Sequence, residues 1–181
     1  MGELRARDAA GRRLVAVPLD AAAFRLFGDV IDRRSASSMT YPINGGSALR
    51  LHDLARIDAS TRGGHPAISI VRASPQPLPF RLECMERHRR GSQAFIPLTA
   101  ARWIIVVAPP GRAPRPDRLQ AFVASAEQGV NYARGTWHHP LLAIDRAAEF
   151  LVVDRVSDDG EEDCDMCDMS GLGTWLARCT S

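Results

Sequence analysis

Two short segments of the chain carry residue types that perform chemistry in enzymes. In the first segment a single residue separates Glu86 from His88, and Gln93 follows after a short loop. In the second, His138 and His139 are adjacent, between a tryptophan and a proline. Imidazole and carboxylate groups exchange protons near neutral pH and also bind divalent metals. The two segments therefore indicate a site for acid and base catalysis or for a metal ion.

The residues before the first segment predict the direction in which its side chains point. Side chains alternate along a β-strand, so that Phe80, Leu82 and Cys84 would share one face. Continuing this alternation places Glu86 and His88 on the same face, toward the interior. Buried polar groups are normally paired, bound to metal or in contact with substrate. The alternative is that both side chains lie at a solvated strand end within an arginine-rich turn.

The second segment concentrates polar, aromatic and rigid residues. A strand used only for packing would be richer in β-branched residues. Because adjacent strand residues face opposite sides, one of His138 and His139 enters the pocket, and the other orients it or packs outside. The immediate flanking residues leave that choice open. Tyr132 and Trp137 are expected either as walls of the pocket or as ordinary core aromatics.

The composition is that of a soluble globular protein with one domain. The chain has 181 residues, of which 45% are hydrophobic and 24% charged. A formal net charge of +2 is too small to predict binding to nucleic acid or to an anionic membrane, so a small-molecule partner is expected. The first residues lack the apolar stretch of a signal peptide, and the longest apolar run is too short to span a bilayer. We therefore expect a cytoplasmic protein.

The four cysteines predict reduced thiols rather than a disulfide framework. Cys84 lies in a strand-like run, whereas Cys164, Cys167 and Cys179 are near the C-terminus. Cys164 and Cys167 form a CxxC pair, but acidic residues surround it and no second CxxC occurs. We therefore expect a polar tail here in preference to a zinc or redox site.

Secondary-structure signals predict a mainly β protein with one early helix. Asp20 is a suitable N-cap for a helix over the alanines that follow, and Gly28 would supply its C-terminal stop. The proline-rich residues 109–116 predict an exposed loop. Short apolar runs without intervening helices indicate an antiparallel sandwich or barrel. These runs are 67–73, 79–86, 93–98, 103–108, 119–124, 136–144 and 148–154.

The spacing of the two histidine segments resembles the pair of motifs of the cupin superfamily. Cupins hold a divalent metal inside a double-stranded β-helix barrel, with HxH and a carboxylate from one motif and PxGxxH from the other. Gly135 and His138 match the second motif, but Ala133 stands in place of its proline. In the first motif, Glu86 stands in place of the first histidine and Gln93 in place of the carboxylate. Together with His88, these residues would suit Ni²⁺, Mn²⁺, Fe²⁺ or Zn²⁺. The altered ligands also permit a metal-free site.

Longer stretches of the sequence resemble the ureidoglycolate lyase family, whose members are also called ureidoglycolate hydrolases. The resemblance is carried by MERHRRGSQAFIP at 85–97 and EQGVNYARGTWHHPL at 127–141. It covers residues from about 14 to about 165, which predicts an N-terminal extension (1–13), a cupin-like domain (14–165) and a C-terminal tail (166–181). Shorter matching stretches are FGDVI at 27–31, INGG at 43–46, HDLA at 52–55, ISIVRASP at 68–75 and EFLVVDR at 149–155.

The resemblance implies a fold and an activity. The fold would be a cupin-like double-stranded β-helix barrel with a short N-terminal helix, commonly assembled as a homodimer. The activity would be the cleavage of (S)-ureidoglycolate to glyoxylate and urea in allantoin degradation, part of purine catabolism. Ni²⁺ would be the metal, without an organic cofactor. Histidine suits this reaction, because the substrate hydroxyl loses a proton while the urea nitrogen gains one.

The expected site has Glu86, His88 and His138 at its centre, with Gln93 beside them. These side chains would act as metal ligands or as a direct acid and base. His139 is the second choice for proton transfer. A metal could alternatively hold the substrate oxygens and lower the pKa of the hydroxyl.

Substrate binding requires a cation for the carboxylate of ureidoglycolate. Arg72 is the first candidate because it ends a strand that looks buried in the sequence. Arg134 and Arg87 are the alternatives, and each has a second interpretation as an exposed charge. Asn44 is expected to contribute a loop amide or to serve as a turn residue.

Other functions fit the same pocket. One is a ureidoglycolate amidohydrolase, or another cupin enzyme acting on a small hydroxy acid. Another is a small-molecule-binding cupin without turnover. Products separate these functions, because a lyase releases urea, an amidohydrolase releases ammonia, and a binding protein releases neither.

Overall fold

The computed structural model describes residues 11–34, 39–60, 63–161 and 163–177. Most of the expected N-terminal extension and Cys179 therefore lie outside the described residues. The longest α-helix of the described ranges has four residues, so none of the described helices could cross a bilayer.

The described chain consists mainly of strands, with one short α-helix, α1 (Ala21–Phe24). Three 3₁₀ turns lie at Asn44–Gly46, Pro116–Arg118 and Ser170–Leu172. The strands are β1 (Arg13–Leu14), β2 (Val17–Pro18), β3 (Gly28–Asp32), β4 (Met39–Ile43), β5 (Ala48–His52), β6 (Gly64–Ala73), β7 (Phe80–Arg81), β8 (Cys84–His88), β9 (Gln93–Pro97), β10 (Trp103–Ala108), β11 (Gln120–Ala124), β12 (Gln128–Tyr132), β13 (Trp137–His138), β14 (Leu142–Ala143), β15 (Ala148–Ser157), β16 (Cys164–Asp168) and β17 (Trp175–Leu176).

Three sheets and one hairpin are formed by these strands. The central sheet has the order β16-β8-β13-β10-β11-β2, with β14 also paired to β10. The front sheet has the order β3-β12-β9-β15-β6, and the back sheet has the order β1-β17-β7. Strands β4 and β5 form the separate hairpin. Most pairs are antiparallel, and the mainly β, cupin-like fold predicted from the sequence is confirmed.

Both faces of the central sheet are covered, because alternate apolar side chains of β10 pack into two separate hydrophobic clusters. Trp103, Ile105 and Val107 belong to the front cluster, which fills the space between the central and front sheets. The residues that alternate with them, including Ile104 and Val106, belong to the back cluster beneath the back sheet. All six residues of β10 are buried. A continuous apolar run is the pattern expected of a strand with two buried faces.

The helix begins where the sequence predicts but ends earlier. The Asp20 side chain accepts a hydrogen bond from Ala23 N at 2.9 Å, which confirms the N-cap. The predicted stop at Gly28 is wrong, because the helix ends at Phe24 and Gly28 is the first residue of β3. Gly28 has φ +143°, and a Cβ there would lie 1.9 Å from the carbonyl oxygen of Asn131. Gly28 therefore permits close approach of two strands.

Five of the predicted strands are confirmed, and two are divided. The run 79–86 is split between β7 and β8, where Leu82 leaves the strand path, donates its N–H to Thr174 O and packs in the back cluster. The prediction that Phe80 and Leu82 share a face with Glu86 is therefore wrong, because both pack against the back cluster. The run 136–144 is divided around Pro140, which has no N–H for a ladder. The confirmed runs are 67–73, 93–98, 103–108, 119–124 and 148–154.

Up to residue 177, the last one described, the C-terminal segment is part of the sheets and not a polar tail. Strand β16 pairs with β8, and β17 pairs with β1 and β7. Met169 and Leu176 are fully buried in the back cluster. Cys164 and Cys167 stand three residues apart on one strand, roughly 10 Å by strand geometry, which is beyond the Cα separation of a disulfide. The domain boundary after residue 165 stays a prediction.

Substitution of Phe24 tests how much packing in the front cluster contributes to stability. Its ring is fully buried against Phe27, Phe122 and Tyr132. We expect Phe24→Ala to lower the free energy of unfolding by about 3–5 kcal/mol because it leaves a cavity. Urea titration measures this loss. Leu26→Ala is the matched control, since Leu26 is 62% exposed, and its cost should stay below about 0.5 kcal/mol. Equal costs for the two variants would contradict this assignment of the core.

Candidate active site

Strand register places two pairs of polar side chains opposite each other inside the barrel. In the central sheet, His138 of β13 pairs with Glu86 of β8. In the front sheet, Gln93 of β9 pairs with Tyr132 of β12. The rings of Tyr132 and His138 stack, with centroids 4.1 Å apart and planes 13° from parallel. The stacked rings therefore join the two pairs into one site.

Alternation along residues 137–139 decides which histidine enters this site. His138 points to the front, whereas Trp137 belongs to the back cluster, where the Arg87 guanidinium lies 4.5 Å from its ring. His139 packs edge-on against Phe80, with the ring centroids 5.3 Å apart. The structure thus brings His138 to Glu86 and places His139 and Trp137 on the opposite side of the sheet.

The contacts of His138 define the chemistry of the site. Its side chain is 1% exposed, and Nδ1 lies 3.0 Å from Thr136 O, which can only accept a hydrogen bond. Nδ1 therefore carries a proton and donates it. Nε2 lies 3.1 Å from Gln93 Oε1 and 3.3 Å from Glu86 Oε1, and both of these oxygens are acceptors. The space beside Nε2 therefore favours a positive charge, either a proton on Nε2 or a metal ion.

His88 completes a group with the geometry of a metal site. Its ring lies 5.7 Å from that of His138, and its buried Nε2 has no hydrogen-bond partner among the described residues. One ligand atom from each of Glu86, His88 and His138 lies within 4.8 Å of the others. A buried nitrogen without a partner, beside a carboxylate and a second imidazole, fits a divalent ion of borderline softness.

The environment sets the protonation states that a metal requires. Burial is the largest influence on His88 and lowers its pKa, and nearby His138 lowers it further. For Glu86, burial raises the pKa, but the hydrogen bond and charge of His138 outweigh it and hold the pKa below its ordinary value. His88 is therefore neutral and Glu86 ionised at neutral pH, as metal ligands must be. Burial also raises the pKa of Tyr132, which stays a phenol.

A cleft of ≈ 440 Å³ leads to this group, which is room for a small metabolite. A larger cleft of ≈ 640 Å³ lies between α1 and the hairpin, but none of the three ligand groups lines it, so we assign the chemistry to the smaller cleft. The smaller cleft is lined by Ser69, Val71, Arg72, Ala73, Glu86, Gln93, Phe95, Pro140, Leu141, Val152 and Asp154.

Of the predicted substrate-binding cations, only Arg72 borders the cleft within the described residues. Its side chain is 84% exposed, and its Nε lies 2.7 Å from Oε1 of Glu149. Arg87 is on the back face, paired with Asp165. Arg134 is 3.7 Å from a carboxylate oxygen of Asp58. The structure thus brings neither Arg87 nor Arg134 to Glu86 and His138.

Asn44 lies at the turn of the β4–β5 hairpin, apart from the residues that line the cleft. Its φ is +53°, and its carbonyl oxygen accepts a hydrogen bond from Ser47 N at 3.3 Å. Asn tolerates this left-handed conformation better than most residues do. The turn interpretation of Asn44 is therefore the one that its geometry supports.

Asp154 is a further residue of the site that the sequence patterns did not indicate. Phe150, Val152 and Asp154 alternate along β15, and the first two are buried in the front cluster. Asp154 continues this inward face, lines the cleft and accepts a hydrogen bond from Gln93 Nε2 at 3.3 Å. A carboxylate at an inward position of an otherwise apolar strand face is the signal that could have revealed it.

A carboxylate, two imidazoles and an amide inside a β-barrel define the class of cupin-like proteins with an interior site. The family profile described as ureidoglycolate lyase matches residues 11–172, and the chain belongs to that family. The protein named ureidoglycolate lyase in Burkholderia cepacia is 54% identical over 134 residues, covering 74% of each chain. The one in Burkholderia mallei (strain NCTC 10229) is 50% identical, covering 78% of this chain and 81% of its own. A third, in Azotobacter vinelandii, is 48% identical over 76% and 82%.

Proposed function

We propose that this chain is a ureidoglycolate lyase that cleaves (S)-ureidoglycolate to glyoxylate and urea. Its membership in the family and its identity to three proteins of that name support this function. The observation that carries the proposal is the convergence of Glu86, His88 and His138 at the end of a cleft of metabolite size. The reaction belongs to allantoin degradation.

The chemistry of the substrate explains why such a group is needed. The hydroxyl on the central carbon loses a proton, the oxygen forms the carbonyl of glyoxylate, and the bond from carbon to nitrogen breaks. The nitrogen that leaves takes up a proton and becomes part of urea. One proton is therefore removed and one is delivered, at atoms only a few ångströms apart.

We infer that a divalent metal, Ni²⁺ by family membership, binds Glu86, His88 and His138, with Gln93 beside them. When bound, it would polarise the hydroxyl and carboxylate oxygens of the substrate and make the hydroxyl more acidic. The protein supports this arrangement because the hydrogen bond from Nδ1 to Thr136 O keeps His138 Nε2 directed into the site. Stacking on Tyr132 restricts the tilt of the same ring.

Without a metal, the same side chains would act directly. His138 Nε2 would accept the hydroxyl proton and, as the imidazolium, deliver it to the leaving nitrogen, while His88 Nε2, which has no partner among the described residues, would bind the substrate. Glu86 would stabilise the resulting imidazolium.

Arg72 is the cation that we propose for the substrate carboxylate. It borders the cleft, and the other described residues that line the cleft carry no positive side chain unless a histidine or a metal supplies the charge. Its side chain leaves β6 on the outer face and pairs with Glu149, so contact with an anion in the cleft requires this exposed ion pair to open, at a cost of about 1 kcal/mol or less. The cytoplasmic location stays a prediction.

The first experiment is a product assay. The purified protein incubated with (S)-ureidoglycolate should release equal amounts of glyoxylate and urea, and His138→Ala should lower kcat by about 100-fold or more. His65→Ala is the matched control, because His65 is 58% exposed and pairs with Asp158 at the surface. Ammonia in place of urea would mean amidohydrolase chemistry, and ligand binding without product would mean a binding protein. Either result contradicts the lyase proposal.

The metal is tested separately from the reaction. Elemental analysis should find about one divalent ion per chain, and titration of metal-free protein with Ni²⁺ should show that Glu86→Gln weakens binding by more than about 10-fold. Glu83→Gln is the control, since Glu83 is exposed three residues earlier. Activity that survives chelation, with no stoichiometric metal, would contradict the metal proposal and leave the same residues as acid and base.

We also propose that the protein is a homodimer that pairs through the outer face of the front sheet. Strand β6 is the edge of that sheet, and in the described ranges no strand pairs with its far side. Ile68 and Ile70 on its outer face are 72% and 53% exposed, next to the half-buried Val153 and Leu151 of β15. Adjacent exposed apolar side chains of this kind mark association surfaces.

Light scattering after size exclusion measures the assembly. A mass of two chains is expected, and Ile70→Lys should shift the protein toward the monomer because it buries a charge in the apolar contact. Leu172→Lys is the control, as Leu172 is 45% exposed and lies outside this face. A monomeric mass for the unmodified protein would contradict the dimer.

A further inference from the structure

We propose that Asp154 is a positioning residue that fixes the orientation of the Gln93 amide and thereby keeps His138 Nε2 accessible to substrate or metal. The proposal rests on the lyase function and adds to it a residue outside the group of Glu86, His88 and His138. It concerns the direction of the hydrogen bonds that join Asp154, Gln93 and His138, because a carboxylate only accepts hydrogen bonds whereas an amide both donates and accepts.

The two strands bring Asp154 and Gln93 together. In the pairing of β9 with β15, Val153 lies opposite Ala94 and Val152 opposite Phe95, so that Asp154 and Gln93 are the next facing pair. Both side chains line the cleft. Gln93 Nε2 lies 3.3 Å from Asp154 Oδ2, and Gln93 Oε1 lies 3.1 Å from His138 Nε2.

The carboxylate determines which end of the amide faces the histidine. A carboxylate only accepts hydrogen bonds, whereas an amide has an N–H₂ that donates and an oxygen that accepts. The N–H₂ of Gln93 must therefore face Asp154, and Oε1 must face His138. Rotating the amide by about 180° would put two acceptors in contact at Asp154 and remove the hydrogen bond between the two side chains.

The orientation matters because the rotated amide would disable the site. With Nδ1 donating to Thr136 O, a neutral His138 has its lone pair on Nε2. The N–H₂ of a rotated Gln93 would donate to that lone pair and occupy the position needed for a substrate proton or a metal. Asp154 prevents this arrangement, and it also explains why a carboxylate stands where Phe150 and Val152 would lead one to expect an apolar residue.

The test compares the Asp154→Asn variant with the unmodified protein. Asn has nearly the same shape but can both donate and accept, so that Gln93 is free to rotate. We expect kcat/KM for (S)-ureidoglycolate to fall by about 10–100-fold, the range typical of residues that orient an active group. Asp145→Asn is the matched control, because Asp145 bonds Arg102 at the surface, away from the cleft. It should retain the activity of the unmodified protein.

Two further variants separate positioning from a general structural role. In a Gln93→Ala background, Asp154→Asn should cost little more than Gln93→Ala alone, since the group that it orients is missing. Asp154→Glu, which keeps an acceptor-only side chain, should retain more activity than Asp154→Asn when both are measured per amount of folded protein. Full activity of Asp154→Asn, or an equal loss in both backgrounds, would overturn the proposal. Absence of turnover in the unmodified protein would instead contradict the lyase function.

Discussion

The site depends on the hydrogen bonding of one imidazole. Nδ1 of His138 is committed to the carbonyl oxygen of Thr136, and Nε2 faces the oxygens of Glu86 and Gln93. A neutral ring in this position directs a lone pair toward two acceptors, which is unfavourable unless a positive charge lies between them. A proton or a metal ion supplies that charge. A proton on Nε2 and a metal ion would occupy the same position. The need for a positive charge there therefore links acid and base chemistry to metal binding.

Sheet architecture provides the position of this imidazole. The central sheet supplies Glu86, His88 and His138, the front sheet supplies Gln93 and Tyr132, and the apolar front cluster holds the two sheets together. Because β10 is buried on both faces, neither sheet can shift without opening a packed core. The polar group is thus held by the same packing that stabilises the fold, while the cleft beside β6 stays open to a small molecule.

Burial of this group has an energetic cost that the protein offsets by pairing. Glu86 contacts His138, Gln93 contacts both Asp154 and His138, and the outer nitrogen of His138 is satisfied by the backbone. Within this group, the buried atom without a hydrogen-bond partner among the described residues is His88 Nε2. An unpaired buried nitrogen beside a carboxylate is destabilising by itself, so a bound ligand at that point would recover part of the cost.

The sequence by itself determined the features that depend on local alternation and on extended motifs. The apolar run of β10, the shared face of Glu86 and His88, and the family of the chain follow from residue order alone. Tertiary structure decided the rest. The break at Leu82, the choice of His138 over His139, the distance of Arg87 from the cleft and the place of Asp154 beside Gln93 all depend on where a strand is interrupted and which strand lies next to it. Alternation repeats every two residues within one strand, but pairing between strands is set by packing across the whole core, which no local pattern contains.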